Sequence, residues 1–144
     1  MNRDFAEMLS ALSDAGAEFL VVGAHALAAH GTPRATGDLD IWINPTPANA
    51  ALVMAALRAF GAPLANLAIE DLTTPGLIFQ IGVVPSRVDI LTTISGVAFD
   101  DAWTRRMPLE IEGVQVPVLG RDDFIANKRA TGRLKDLADI EGLP

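Results

Sequence analysis

The sequence predicts one α/β (α+β) domain over residues 1–144, a small mixed, largely antiparallel sheet flanked by helices. Three observations lead there. Half of the 144 residues are hydrophobic and 20% are charged, the composition of a chain that buries roughly 68–70% of its unfolded surface. The apolar residues switch repeatedly between helical and strand periodicity. Glycine and proline punctuate nearly every switch, with no repeat, low-complexity tract or linker between them.

Residues Arg3–Ala15 place Phe5, Met8, Leu9 and Leu12 at helical spacing, and Gly16 closes the pattern as a C-terminal cap would. Glu18–Gly23 reads as a short buried strand. Ala24–His30 is alanine-rich and helical, stopped by Gly31 and Pro33, and Thr32–Gly37 is a loop. Asp38–Ile43 alternates as a strand and closes at Asn44-Pro45. Pro47–Phe60 is a long helix capped by Gly61. Leu77–Ile81 and Arg87–Leu91 are strands joined by a hairpin-like turn at Gly82–Ser86. Phe99–Arg105 is a short helix. Leu109–Ile111 and Val114–Val118 flank Glu112-Gly113, a tight hairpin. Arg121–Ala130 and Lys135–Glu141 are terminal helices separated by Gly132.

Composition excludes several classes of function. There is no cysteine, so disulfides, thiolate nucleophiles and zinc-thiolate sites are ruled out together. The longest apolar runs fall short of the ~20 residues of a transmembrane helix, so no membrane partner is expected. Met1–Ala17 is interrupted by Arg3, Asp4, Glu7 and Asp14 and is not expected to act as a secretory leader; a cytoplasmic location is the expectation. A net charge of −7 argues against broad, non-specific nucleic-acid binding. The cations are uneven, however, with Arg121, Lys128, Arg129, Arg133 and Lys135 clustered near the C-terminus.

The chemistry concentrates in two strands. Side chains alternate faces along a strand, so Leu39, Ile41 and Ile43 point to the core while Asp38, Asp40 and Trp42 point the other way. The two aspartates stand about 6.5–7 Å apart at Cα, within reach of one ion. Two carboxylates at about 5 Å repel by roughly 3 kcal/mol at an effective dielectric of 20, a penalty that a hard divalent cation removes. On Arg87–Leu91, Val88 and Ile90 face the core and Arg87 and Asp89 share the opposite face. If the two strands are neighbours, Asp89 completes a three-carboxylate cluster, which suits two metals about 3.5–4 Å apart in phosphoryl transfer. The backbone amides of Gly23-Ala24, where strand turns into helix, are placed to hold a terminal phosphate. The bland reading is that Asp38 and Asp40 face water on an edge strand.

Two rival motifs fail on the residues. A dinucleotide fold needs G-x-G-x-x-G after its first strand, where this chain has Gly23, His25 and Ala28. An aspartate-nucleophile phosphatase places its acids at the exit of a buried strand, whereas Asp38 and Asp40 stand at a strand entrance.

With V22-G23-A24, D38-L39-D40-I41 and V88-D89-I90 in that order, the chain resembles a minimal nucleotidyltransferase of the DNA-polymerase-beta superfamily. More narrowly it is similar to the bacterial subgroup that includes abortive-infection-type toxins, to which H30–G37 and N127–D139 also bear likeness. The resemblance runs from about Ala17 to Glu141. It implies the polymerase-beta-like fold, Mg2+ (or Mn2+) as cofactor and a nucleoside triphosphate as substrate. It also implies transfer of a nucleoside monophosphate to a hydroxyl acceptor, on a protein, an RNA or a small molecule, with release of pyrophosphate. Asp38 and Asp40 would ligate both metals; Asp89 would ligate the catalytic metal and help deprotonate the acceptor. Gly23 and Ala24 would contact the triphosphate, and Arg34 and Thr36 would steady phosphate or their own loop. Ala24 departs from the pattern, since most active members carry Gly or Ser there. That departure favours the alternative, a non-catalytic nucleotide-binding or antitoxin-like module that keeps the fold. With no appended acceptor-binding domain expected, specificity falls to a protein partner, a homo-oligomer or the C-terminal helices.

Six further residues need placing. His25 and His30 lie ~140° apart around a helix and cannot form an i, i+4 metal pair; neither is expected to be catalytic. Lys128 is a candidate for the triphosphate tail, against a solvated helix face on which Lys135 pairs with Asp139. Trp42 is a candidate either to stack a base or to cover a sheet edge, while Trp103 and Phe99 read as core.

Overall fold

The computed structural model describes residues 2–31, 37–83 and 86–144. Helix α1 (Arg3–Asp14) starts where the Asn2 side chain accepts a hydrogen bond from the Phe5 amide at 3.2 Å, satisfying one of the donors a helix start leaves orphaned. It buries Phe5, Met8, Leu9 and Leu12, a one-sided stripe that fixes which face meets the core. Strand β1 (Phe19–Val22) is buried throughout and passes into α2 (Gly23–Ala29) through Gly23, at φ +68°. Strand β2 (Leu39–Ile43) leads to α3 (Pro47–Phe60), where Thr46 caps the Asn49 amide, Pro47 occupies the first turn and Gly61 ends the helix in the left-handed region. A 3-10 turn (Ile69–Thr73) precedes β3 (Ile78–Ile81) and β4 (Val88–Leu91). Then follow α4 (Phe99–Thr104), the hairpin of β5 (Met107–Ile111) and β6 (Val114–Val118), and α5 (Arg121–Thr131) and α6 (Leu134–Glu141).

The strands form one mixed sheet in the order β3-β4-β2-β1-β6-β5. Pairs β1·β2, β3·β4 and β5·β6 are antiparallel, and β2·β4 and β1·β6 are parallel. The long crossover from β2 to β4 contains α3, as a parallel pair requires. Strand β2 is central, which removes the reading of Asp38 and Asp40 as solvated edge residues. Asn49 ties α3 to the sheet: its side chain receives the Glu18 amide at 2.7 Å and donates to the Glu18 and Asn44 carbonyls, each at 2.9 Å.

Trp42 is neither a base platform nor an edge cover. It is 2% exposed, edge-on to Phe99 of α4 at 5.0 Å, with its indole N–H donating to the Thr92 carbonyl at 3.4 Å. On the face of β2 that carries the acids, Trp42 is therefore sealed by α4. Among the described residues no helix is long and apolar enough to cross a membrane.

Candidate active site

Two strand pairings assemble the acids. Asp40 lies opposite Val22 across the antiparallel β1·β2 pair and opposite Asp89 across the parallel β2·β4 pair. The apolar alternates, Leu39, Ile41, Val88 and Ile90, are at most 1% exposed, and this burial fixes the strand phase. It forces Asp40 and Asp89 onto the same opposite face, with Asp38 at the strand entrance. The neighbourhood expected for Asp89 is thus present.

Gly23 stands directly against Asp40. A Cβ at this position would overlap the Asp40 carboxylate oxygen Oδ2, and the positive φ disfavours any side chain there independently. Ala24 follows, partly exposed, so its methyl does not take the space next to Asp40 that Gly23 must leave empty.

The electrostatics are uneven across the three acids. Arg87, at the entrance of β4, bridges two of them. Its Nε donates to Asp89 Oδ1 at 2.9 Å and its Nη2 to Asp89 Oδ2 at 3.2 Å, while Nη2 also lies 3.0 Å from Asp38 Oδ2. Asp40 has no such share. Burial first, then the charges of Asp89 and Asp38, push its carboxyl up from 3.8 to about 6, with Arg87 opposing only weakly. The other Asp38 oxygen, Oδ1, is buried without a hydrogen-bond partner, an unusual state for an interior carboxylate.

An all-oxygen, net-negative donor set with one orphaned buried oxygen has the chemistry of a hard-cation site. Among the described residues, however, no three histidine, cysteine, aspartate or glutamate side chains converge as a ready metal-holding group. Arg87 engages both oxygens of Asp89 and one of Asp38.

His25 braces this end of the molecule. It is 7% exposed, stands edge-on to Phe5 at 5.5 Å and bonds the backbone of Gly37, the residue before Asp38; burial lowers its pKa. His30 bonds the Leu119 carbonyl through Nε2 at 2.7 Å, which anchors the end of α2.

Other expected site residues fall elsewhere. Arg34 and Thr36 lie outside the described residues. Lys128 does not join the carboxylates: its ammonium sits 3.2 Å from Asp136 and 3.6 Å from Asp139, so Asp139 pairs across to α5. Two surface grooves, one between α1 and α3 and one beside Trp103 and Arg106, contain none of the three acids. Arg87 is placed on the Asp89 face by its sequence position, since a residue two before Asp89 on a strand must share its face, but its role as a bridge to the acids was not expected.

A mixed α+β sheet that sets acids from two neighbouring strands beside a glycine turn defines a small domain with a clustered-carboxylate site. Residues 1–143 match the family described as nucleotidyl transferase of unknown function (DUF2204), and the chain belongs to that family. No curated protein matches the chain.

Proposed function

We propose that this protein is a divalent-cation-dependent nucleotidyltransferase that moves a nucleoside monophosphate from a nucleoside triphosphate to a hydroxyl acceptor. The observation that carries the reading is the juxtaposition of Asp38, Asp40 and Asp89 beside Gly23 in a member of a nucleotidyl transferase family. Asp38, Asp40 and Asp89 would hold Mg2+ or Mn2+. When bound, the cation neutralises charge on the transferring phosphoryl group.

The chain's own residues account for the rest. Gly23 keeps Asp40 in place and, with the Ala24 amide, offers the triphosphate a backbone surface without side chains. Asp89 accepts the acceptor's hydroxyl proton as the acceptor oxygen bonds to the α-phosphorus. The bond from that phosphorus to the bridging oxygen breaks, and pyrophosphate leaves with the electron pair. Arg34 and Thr36, just before Asp38 in sequence, steady the phosphates. Lys128 reaches the triphosphate tail only by leaving Asp136 and Asp139.

The acceptor belongs to one of three classes: a protein side chain, an RNA end or a small hydroxylated molecule. A net charge of −7 disfavours an RNA held by unspecific charge alone. Acceptor specificity would come from a protein partner, a homo-oligomer or the C-terminal helices. Ala24 supports a second reading, a nucleotide-binding or antitoxin-like module without turnover, because it supplies no hydroxyl to phosphate.

The test is incubation with each α-labelled nucleoside triphosphate, Mg2+ and cell RNA or protein. Label should transfer with wild type and not with Asp38→Asn or Asp89→Asn. Absence of transfer together with absence of triphosphate binding by calorimetry would sink the enzymatic reading; binding without transfer would select the non-catalytic one.

A further inference from the structure

Three cationic contacts in the carboxylate group come from one side chain. Arg87 spends a bidentate fork on Asp89 and its Nη2 again on Asp38, the geometry in which arginine binds carboxylates most strongly. Such a fork is costly to replace by water, yet Arg87 is not locked in the interior, for its side chain is 31% exposed, against 16% for Asp38 and 12% for Asp89. It can leave toward solvent while the acids stay. Their strand positions are fixed by buried neighbours, and the segment before Arg87 is tethered by Ser86, whose Oγ accepts from the Asn2 side chain at 3.2 Å. The hinge is thus the Arg87 side chain itself.

We propose that Arg87 is a positioning residue that stands in for the divalent cation, clamping Asp38 and Asp89 in the metal-free protein and releasing them when the cation binds. The inference rests on the cation-dependent reading above. The clamp engages three of the four carboxylate oxygens of Asp38 and Asp89, Asp89 Oδ1 and Oδ2 by hydrogen bonds and Asp38 Oδ2 by an ion pair. It gives the largely buried Asp38 and Asp89 the counter-charge that burial demands. It also leaves Asp38 Oδ1, buried and without a hydrogen-bond partner, as the one oxygen of the bridged pair that Arg87 does not engage. A freed guanidinium next to the site then faces the phosphates of a bound nucleotide, a partner with the same bidentate geometry.

Two measurements on the full chain decide it. Calorimetric titration with Mn2+ should show Arg87→Met binding on the order of tenfold more tightly than wild type, the scale of one or two charge-assisted hydrogen bonds removed from competition. In parallel, the Arg87 Nε–H NMR signal of wild type, assigned by its loss in Arg87→Lys, should shift and lose its exchange protection as Mg2+ is added. Simple charge repulsion would tighten Mn2+ binding in the variant but leave that signal in place, so an unmoved signal at saturating Mg2+ overturns the proposal. Equal or weaker Mn2+ binding by a folded Arg87→Met overturns it as well, making Arg87 a fixed brace for Asp89. If Arg87→Met does not fold, the wild-type NMR titration decides alone. If wild type and variant both fail to bind either ion, the cation-dependent reading falls along with it; binding by wild type with no displacement leaves that reading standing.

Discussion

At the scale of single residues, Gly23 carries more of the site than its neighbour. Ala24 is the departure visible in the sequence, but the atom-level constraint is at Gly23, where any Cβ meets the Asp40 carboxylate. Gly23→Ala should cost about 2 kcal/mol, combining left-handed strain with local overpacking, and lower transfer activity at least tenfold; Ala24→Gly or Ala24→Ser should leave stability within about 0.5–1 kcal/mol. Chemical denaturation and label transfer measure both. Asp40 gives a prediction in pH. Its carboxyl is raised to about 6 by burial and by Asp89 and Asp38, so the folded state holds this proton more tightly than the unfolded chain does. Its contribution is complete below the unfolded value of 3.8 and is lost as pH rises through about 6. In chelator, Asp40→Asn should therefore gain on wild type between pH 4 and 7, by about 2 kcal/mol at most, as read from paired melting curves. Identical pH dependence in the two proteins would refute the assignment.

At the scale of elements, the corner between α5 and α6 is held by one buried acid. Asp136 is fully buried and accepts from Lys128 at 3.2 Å, Thr131 at 2.6 Å and Arg133 at 2.6 Å. These bonds, Arg133 foremost, hold its carboxyl well below the usual range. Asp136→Ala should cost roughly 2 kcal/mol, less than the roughly 3–5 kcal/mol of a fully buried pair, because Arg133 can turn to solvent and Lys128 keeps Asp139. Since the pKa is lowered, this stability is present above the ordinary carboxylate range and persists into acid, being lost only as pH falls through the depressed value; an acid titration of the variant against wild type checks it. This corner also marks the limit of what sequence shows. Periodicity and caps define Pro47–Phe60 to the residue, because Thr46, Pro47 and Gly61 are local signals. The Glu112-Gly113 hairpin is equally legible, both residues adopting positive φ. The Asp136 network spans the Gly132 break, so only the fold brings Lys128 to it. The 3-10 turn at Ile69–Thr73 buries Leu72 alone and has no period to find. For the candidate site, strand phase made the shared face of Asp38 and Asp40 legible. Trp42 obeyed the same phase but is sealed by Phe99, from a helix that no local pattern places over β2.

At the scale of the whole molecule, ligand and fold should be linked. If Asp38, Asp40 and Asp89 hold a cation that the unfolded chain does not, Mn2+ at about 100 times its Kd adds about 2.7 kcal/mol, or about 5–10 °C in Tm for a chain of this length. Chelator should reverse the gain, and Asp38→Asn or Asp89→Asn should abolish it; a Tm indifferent to Mn2+ would contradict the linkage. The parallel pairing of β2 with β4 has one more consequence, in the order of synthesis. Asp40 is made early, but its partner Asp89 follows about 50 residues later, and the two meet only through that register. Contacts so distant in sequence are closed late, after the local helices. A chain still emerging from the ribosome thus holds two of its three acids and no site, and the chemistry switches on only once folding has checked that most of the protein is there.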